Sequence, residues 1–536
     1  MTSHLEQQLF QFCQEAVSAI HRECDSILST SIQHQDSPLA ECGSALVNLL
    51  SRQAAQISNY YGVFQSSADT KAGSFPEERP LVLKRLEDII SVSYSKFYAF
   101  LFRDLPICWR QLYADASILK FCFNVLRSPY FQGDAASSEN DHGLVNWKGC
   151  ELSDLVKTLD LALILAGAAG EQRGRRWIDK ALGLLHALWL ERAGIEDAFN
   201  PDRPAKRVKQ APAPTSGSAS NQDEIGETFS AAEPFTPPVK RPIKRIEALS
   251  MEEFQARLDN PPDPKLGPEP LVLRGAIQSW PALTTNPWSK PSYLLSQTFD
   301  GRRLVPVEIG RSYVDEGWGQ KLITFGEFLR SYIDPTLAKS RSHSNDVGAS
   351  SPTTSSSPER PIAYLAQHPL LTQLPTLRND ILIPDYCYTA PPPHPSDPRI
   401  DQPELDAPLL NAWFGPPGTI TPLHNDPYHN VLAQVVGRKY VRLYSPLDTG
   451  RMRARGKENG VEMGNTSLMD VGVVEGWDAV SDDDEDGPSW EDRSAFRELP
   501  FVDCILEPGD TLYIPIGWWH YVRGLSVSFS VSFWWN

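Results

Sequence analysis

The chain lacks most of the features that would assign it quickly. Its eight cysteines, at positions 13, 24, 42, 108, 122, 150, 387 and 504, include no CxxC pair. That argues against a zinc ribbon, an iron–sulfur motif and a disulfide scaffold, and fits a reducing compartment. No apolar run approaches the ~20 residues a bilayer-spanning helix needs; the longest, Leu161 to Ala169, is about half that. The opening Met1-Thr2-Ser3-His4-Leu5-Glu6 has no charged-then-apolar layout of a secretory signal. No membrane or export route is expected, and the expected location is nucleus or cytosol, the nucleus favoured. Positive charge is also scarce: 50 Lys+Arg stand against 67 Asp+Glu, a net charge of −17. Such a chain gains little from non-specific phosphate contact, so direct nucleic-acid binding is not expected.

What is present suffices for two or three domains with sizeable cores: 536 residues, 41% apolar and 10% aromatic. Residues 1–200 read as helical. Leu83, Leu86, Ile89 and Ile90 recur at helical spacing, as do Leu152, Leu155, Leu159, Ala162 and Leu163, and Trp177, Ile178, Ala181, Leu184, Leu185 and Leu188. No catalytic constellation lies in this half, whose expected use is packing or binding a partner protein. Residues 201–242 turn rich in Pro, Ala, Ser and Thr, a linker composition. Two basic clusters there, Lys206-Arg207-Val208-Lys209 and Lys240-Arg241 with Lys244-Arg245, suit either nuclear import or a solvated linker.

From 243 to 536 the pattern is that of strands. Leu271-Val272-Leu273, Leu304 to Glu308, Val431 to Leu443 and Thr511 to Ile514 are β-type runs. In the last strand Leu525, Val527, Phe529, Val531 and Phe533 alternate with four serines. One face therefore packs into a core while a small hydroxylic face can line a cavity. Polar insertions are expected near 334–360, 388–406 and 450–497, the last carrying the acidic run Asp482 to Asp486. Short strands with long loops indicate a sandwich or barrel with a small-molecule mouth.

Chemistry concentrates in Thr421-Pro422-Leu423-His424-Asn425-Asp426-Pro427. A His-x-Asp pair ending a strand can offer an imidazole and a carboxylate to one metal, with His520 as the second imidazole. Two imidazoles and a carboxylate on one face are the facial triad of non-haem Fe(II) oxygenases. The tripeptide alone is weak, and a surface pair competes with it. His429 reads as supporting the ligands or merely exposed. Lys439 lies in an apolar strand, where its ammonium must find an anion or bear a heavy desolvation cost; a snorkelling edge residue is the other reading, and the one expected for Arg438 and Arg442.

These segments, with Asn411-Ala412-Trp413-Phe414-Gly415, Pro508-Gly509-Asp510, Trp518-Trp519-His520 and Ser528 to Trp535, resemble the jumonji-C (JmjC) oxygenases, and among them the JmjC domain-containing protein 5 (lysine demethylase 8) group. The resemblance covers roughly 243–536, with a weaker likeness in the helical half. It implies an α+β two-domain chain: a helical domain followed by a double-stranded β-helix of the jelly-roll, cupin-like type. It further implies Fe(II) on His424, Asp426 and His520, with 2-oxoglutarate as co-substrate and O2 as oxidant. Lys439 and Tyr364 match residues that hold the far carboxylate of 2-oxoglutarate, while Thr421, Asn430 and Trp413 match others of that pocket. Glu308 and Trp318 match residues that grip a substrate arginine, a pairing that bidentate hydrogen bonding and cation–π attraction make reasonable.

The resemblance implies a 2-oxoglutarate-dependent dioxygenase that releases succinate and CO2. Arginyl hydroxylation of protein substrates is the first reading, and histone methyl-lysine demethylation, on a histone or chromatin-associated protein, is the alternative. A non-catalytic adaptor is a reading from another class, and a Zn or Mn cupin without 2-oxoglutarate is a third. The long insertions leave the metal motif intact and place the surface of substrate approach in question.

Overall fold

The computed structural model describes residues 3–29, 37–66, 79–100, 104–128, 149–170, 173–193, 227–315, 317–335, 337, 362–458, 461–479 and 488–536. It divides the chain into a helical unit and a β unit. The helical unit contains α1 (His4–Ser29), α2 (Ser44–Ser66), α3 (Arg79–Phe97), α4 (Ile107–Arg127), α5 (Gly149–Ala166) and α6 (Gly174–Ala193). In α1 the buried Leu9, Cys13, Ala16, Val17, Ile20, Cys24 and Ile27 keep the 3/4 spacing of one helix face. Helix α4 is buried on nearly every side from Leu112 to Leu126, as befits a central helix. Its Asp115 accepts from Arg173 at 2.9 Å, and Glu23 of α1 shares the same guanidinium, a buried ion cluster that no apolar pattern could have revealed. No described helix is long and apolar enough to cross a membrane.

The β unit has two sheets. The larger runs in the order β1 (Arg245–Glu247), β2 (Leu271–Arg274), β13 (Thr511–Ile514), β8 (His429–Val436), β15 (Ser528–Trp535), β6 (Leu409–Gly415), β5 (Ala363–His368), β3 (Leu304–Ile309) and β4 (Gly319–Thr324). The smaller runs β12 (Phe501–Leu506), β9 (Lys439–Tyr444), β14 (Trp519–Gly524) and β7 (Ile420–His424). A two-residue pair, β10 (Lys457–Glu458) and β11 (Val461–Glu462), stands apart. The antiparallel sets β13-β8-β15-β6 and β12-β9-β14-β7 face each other as a double-stranded β-helix, the expected fold.

Strand alternation sorts the side chains into three layers. Between the sheets, Leu432, Val441, Leu443, Cys504, Leu506, Leu512, Ile514 and Val522 form the inner core. Phe529, Val531, Phe533, Phe414 and Val431 point outward from the large sheet onto Trp280, Trp288, Phe325 and Phe328. Tyr440, Tyr444, Trp519 and Tyr521 point outward from the small sheet onto Met452, Met469, Val471, Val474 and Phe496.

That third layer is built from the expected 450–497 insertion. Its described residues fold into β10, β11 and the short helices Val471–Glu475 and Trp490–Arg497, and they cover the small sheet. The acidic run 482–486 lies outside the described residues, as does nearly all of the expected 334–360 insertion. Arg442 is no snorkelling residue. It is 1% exposed, donates to Glu475 at 2.6 Å and to the Tyr440 hydroxyl at 2.9 Å, and stacks 3.9 Å from the Phe501 ring. It faces outward from β9, but the 450–497 segment roofs it. Arg438, half-buried, pairs with Glu233 and Glu507.

The end of the expected linker is also tied down. Phe229 is buried in the outer core, and Asp503 accepts the backbone N–H groups of Lys240 and Arg241. Lys240 pairs with Glu475 and Arg245 with Asp510, so two residues of the second basic cluster have folded partners. The first cluster, 206–209, lies outside the described residues.

Candidate metal centre and its cavity

His424 ends β7 and His520 lies one residue into β14; across the antiparallel pair they are direct partners. Their rings sit 4.1 Å apart between centroids. Asp426, just past β7, places Oδ1 3.7 Å from His424 Nε2 and Oδ2 3.5 Å from His520 Nε2. One donor atom from each of the three lies within 4.8 Å of the others, and all three residues are buried.

Each imidazole is oriented by its own strand. His424 Nδ1 is 2.8 Å from the Pro422 carbonyl and His520 Nδ1 is 3.1 Å from the Trp518 carbonyl. A carbonyl only accepts, so Nδ1 must carry the proton and each Nε2 turns a lone pair to the common centre. Burial, and then neighbouring His424, push His520 well below its ordinary value. Burial pushes the Asp426 carboxyl up, while His424 draws it down. A divalent cation between them would compensate both desolvation costs.

A register shift makes the arrangement possible. Val522 pairs with Thr421 while His520 pairs with His424, so β7 spends one residue more than β14 over that stretch. This bulge lets Thr421 and His424, three apart, both face inward while Ile420 and Leu423 join the outer core.

The cavity beside the triad encloses about 350 Å³, its open mouth included. It is lined by Tyr364, Trp413, Thr421, Asn430, Lys439 and Ser532 together with the three candidate ligands and apolar Leu432, Ile514 and Val522. Every residue expected at the metal or the co-substrate therefore meets in one place. Lys439 is 1% exposed, and Nζ donates to the Tyr364 hydroxyl at 3.2 Å. Burial alone pushes its ammonium down to about 7. No carboxylate among the described residues pairs with it. Burial raises the Tyr364 phenol, and neighbouring Thr421 draws it down. Trp413 Nε1 donates to Ser532 at 3.0 Å, and Asn430 Oδ1 is buried with no hydrogen-bond partner among the described residues. A buried cation and an idle buried amide oxygen fit a polar, anionic guest; two imidazoles and a carboxylate fit a divalent metal.

Glu308 and Trp318 do not line this cavity, but they meet each other. Glu308 sits opposite Tyr364 across β3 and β5. Burial pushes the Glu308 carboxyl up, and the neighbouring Trp318 indole draws it down. Trp318 remains 37% exposed. His429 corrects another expectation. It is buried, hydrogen-bonded to the Tyr513 hydroxyl at 2.8 Å and the Pro392 carbonyl at 2.9 Å, and desolvation holds it at about 4, so it is a neutral core residue.

Sequence reasoning missed three parts of the site. Leu432, Ile514 and Val522 occupy alternate positions from Asn430, Leu512 and His520, a signal that strand periodicity already carried. Tyr313 was also missed; its hydroxyl lies 3.2 Å from Thr466, and burial first, then Asp426 and Glu308, raise it. Thr466 itself comes from the 450–497 segment. It bridges to His424, while Asn425 N–H donates to the Asn465 carbonyl and Ser467 N–H to that of Leu423. The insertion thus covers the free edge of the metal-bearing strand, and no local motif announces that.

Comparison with known proteins matches residues 266–536, half of the chain, to the cupin-like domain family. The chain is 40% identical over 305 residues to lysine-specific demethylase 8 of Danio rerio, covering 57% of this chain and 61% of that protein. It is 40% identical over 296 residues to lysine-specific demethylase JMJ30 of Arabidopsis thaliana, covering 55% of each. With Jumonji C domain-containing protein 5 of Drosophila melanogaster it shares 36% identity over 294 residues, 55% of this chain and 60% of that protein. The match thus spans somewhat over half the length of these relatives.

Proposed function

The chain belongs to the cupin-like domain family, and on that premise we propose that its β unit is an Fe(II)- and 2-oxoglutarate-dependent oxygenase of protein side chains. The observation that carries the reading is Lys439, a buried ammonium without an anionic partner among the described residues, in the same cavity as two imidazoles and a carboxylate. When bound, iron with 2-oxoglutarate and O2 supplies oxidation of a neighbouring C–H bond, with release of succinate and CO2.

The chain's own part is binding, orientation and exclusion of water. His424 and His520 present Nε2 and Asp426 its carboxylate to the metal. Lys439, Tyr364 and Thr421 offer donors to the far carboxylate of 2-oxoglutarate, with Asn430 and Trp413 completing the wall. Leu432, Ile514 and Val522 keep the cavity largely apolar. Glu308 and Trp318 offer a carboxylate and an indole face to a cationic substrate side chain.

Which carbon stands beside the metal decides the product. The names of the relatives support removal of an N-methyl group from lysine, through a hydroxymethyl amine that collapses to formaldehyde. The pairing of Glu308 with Trp318 supports a guanidinium, and hence a stable hydroxyarginine. Mass spectrometry of arginine and methyl-lysine peptides incubated with the protein, Fe(II), ascorbate and 2-oxoglutarate separates them. One added oxygen on arginine, absent with His424→Ala, establishes the hydroxylase; loss of a methyl with formaldehyde establishes the demethylase. No succinate from iron-loaded protein would refute the oxygenase and favour an adaptor. A protein substrate of the histone or chromatin class, a partner-binding role for the helical unit and a nuclear location accompany this reading.

A further inference from the structure

Glu308 and Trp318 sit at the two ends of a loop bounded by glycines. Gly310 and Gly317 have φ of 125° and 77°, in the region that favours glycine. Such bounds leave the loop free to swing unless something else holds it, and Arg311 does so from three sides. Its Nε lies 3.2 Å from Asp315 within the loop. Its terminal nitrogens reach Asp470 at 3.4 Å and Asp478 at 3.1 Å, both on the segment that covers the small sheet. Its carbonyl accepts from Ile420 N–H at the start of β7, at 2.9 Å.

The contacts run on to Trp318. The Arg311 guanidinium holds the Asp315 carboxylate, the Asp315 carbonyl accepts from Trp318 N–H at 3.3 Å, and the Trp318 indole draws the Glu308 carboxyl down against the effect of burial. This chain of contacts is anchored from outside. Asp478 also takes Arg523 at 2.8 Å, and Arg523 lies three residues after His520 on β14. Arg311 thus ties the loop that carries the candidate substrate residues to both strands that carry the candidate metal ligands, to β7 through its backbone carbonyl and to β14 through its guanidinium by way of Asp478 and Arg523. Arg is suited to this, because its planar fork can engage several carboxylates at once, which the point charge of Lys cannot.

We propose that Arg311 is a positioning residue for substrate: it fixes the 310–318 loop so that the Glu308 carboxylate and the Trp318 indole face one cationic side chain. The inference rests on the proposed oxygenase reading and on Glu308 as the cation's partner. It makes the 450–497 insertion, through Asp470 and Asp478, part of substrate selection as well as a cover for the sheet.

The test uses the full chain as wild type, Arg311→Gln, Arg311→Lys and Glu308→Gln. Two fluorescein-labelled peptides differ at one residue, arginine in one and trimethyl-lysine in the other. Their affinities are measured by anisotropy with Mn(II) and 2-oxoglutarate, and peptide-free succinate formation is measured separately with Fe(II). Arg311→Gln should weaken the preferred peptide by roughly tenfold, the loss expected when an anchoring contact loses its support, and leave peptide-free succinate within about twofold, since the metal and Lys439 are untouched. Arg311→Lys should recover part of the affinity. Unchanged affinity in Arg311→Gln while Glu308→Gln weakens binding would overturn the inference alone. Unchanged affinity in both, or no peptide binding to the wild type, would overturn the cationic-substrate reading beneath it. Parallel loss of peptide affinity and peptide-free succinate would make Arg311 a general structural residue, which also overturns the proposal.

Discussion

Replacing Lys439 by Met should make the ligand-free protein more stable while removing its response to 2-oxoglutarate. Burial takes the Lys439 ammonium from its ordinary 10.5 to about 7. Between those values the unfolded chain binds a proton that the folded chain lacks, so stability from this group rises with pH across that window. At about 1.4 kcal/mol per pH unit, the penalty at pH 7 is about 4 kcal/mol and vanishes near pH 10.5. Met is close in length, carries no charge and adapts to irregular space. Allowing for relaxation around the ammonium, the gain at pH 7 should be about 2–4 kcal/mol. Urea unfolding at pH 7, 8.5 and 10 measures it, and the advantage of the variant should shrink as pH rises. Thermal shifts with Mn(II) and 2-oxoglutarate supply the second readout. At 100 times its dissociation constant a ligand adds about 2.7 kcal/mol, and the variant should show little of it. A variant less stable than wild type at pH 7, or one that keeps the full 2-oxoglutarate shift, would refute the view of Lys439 as a strained cation awaiting an anion.

Two further expectations concern the shell around the site. Arg442→Leu leaves Glu475 with only half-exposed Lys240 as partner, so it should cost about 3 kcal/mol in chemical denaturation, the lower end for breaking a buried pair; adding Glu475→Met should recover much of the loss, and additive damage would argue against the pairing. His429 sits at about 4 in the fold against an ordinary 6.5. The unfolded chain therefore takes up a proton first on acidification, and this contribution costs about 2 kcal/mol at pH 5 and nothing at pH 7. His429→Asn should flatten that part of the pH profile between 7 and 5, and an unchanged slope would count against a neutral core imidazole.

The inner residues were legible wherever one strand carried the whole signal. The serines of β15 alternate with Phe529, Val531 and Phe533, and Ser532 does line the cavity while its neighbours pack outward. Lys439 was legible for the same reason: with Val441 and Leu443 it occupies the inward positions of β9, so its charge had to be used. The same alternation puts Arg442 outward, where a charged residue ordinarily meets water. Only the 450–497 segment, distant in sequence and polar in composition, turns that position into a buried one. A strand pattern reports which face a residue takes, but not what lies opposite. His429 was misread on the same ground, since Tyr513 and Pro392 come from other elements, and the partners of Lys240 and Arg245 were hidden for the same reason, since Glu475 and Asp510 do too.

The triad itself shows where periodicity must fail for a site to exist. On a regular strand Thr421 and His424 would face opposite ways, and a cavity that needs the hydroxyl beside Tyr364 and the imidazole beside Asp426 could not have both. The extra residue opposite Tyr521 resolves the conflict, and Pro422 suits it: it offers no N–H to leave unpaired, and its carbonyl sets the His424 tautomer. The bulged strand is also the sheet's edge, where an added residue disturbs pairing on one side only. That exposed edge is then covered by Asn465, Thr466 and Ser467. Bulge, edge and cover answer one requirement, that three ligands and a hydroxyl converge on one side of two neighbouring strands. The segment supplying the cover also supplies Asp470 and Asp478 to Arg311, so the element that completes the metal-bearing strand reaches the loop of Glu308 and Trp318 as well.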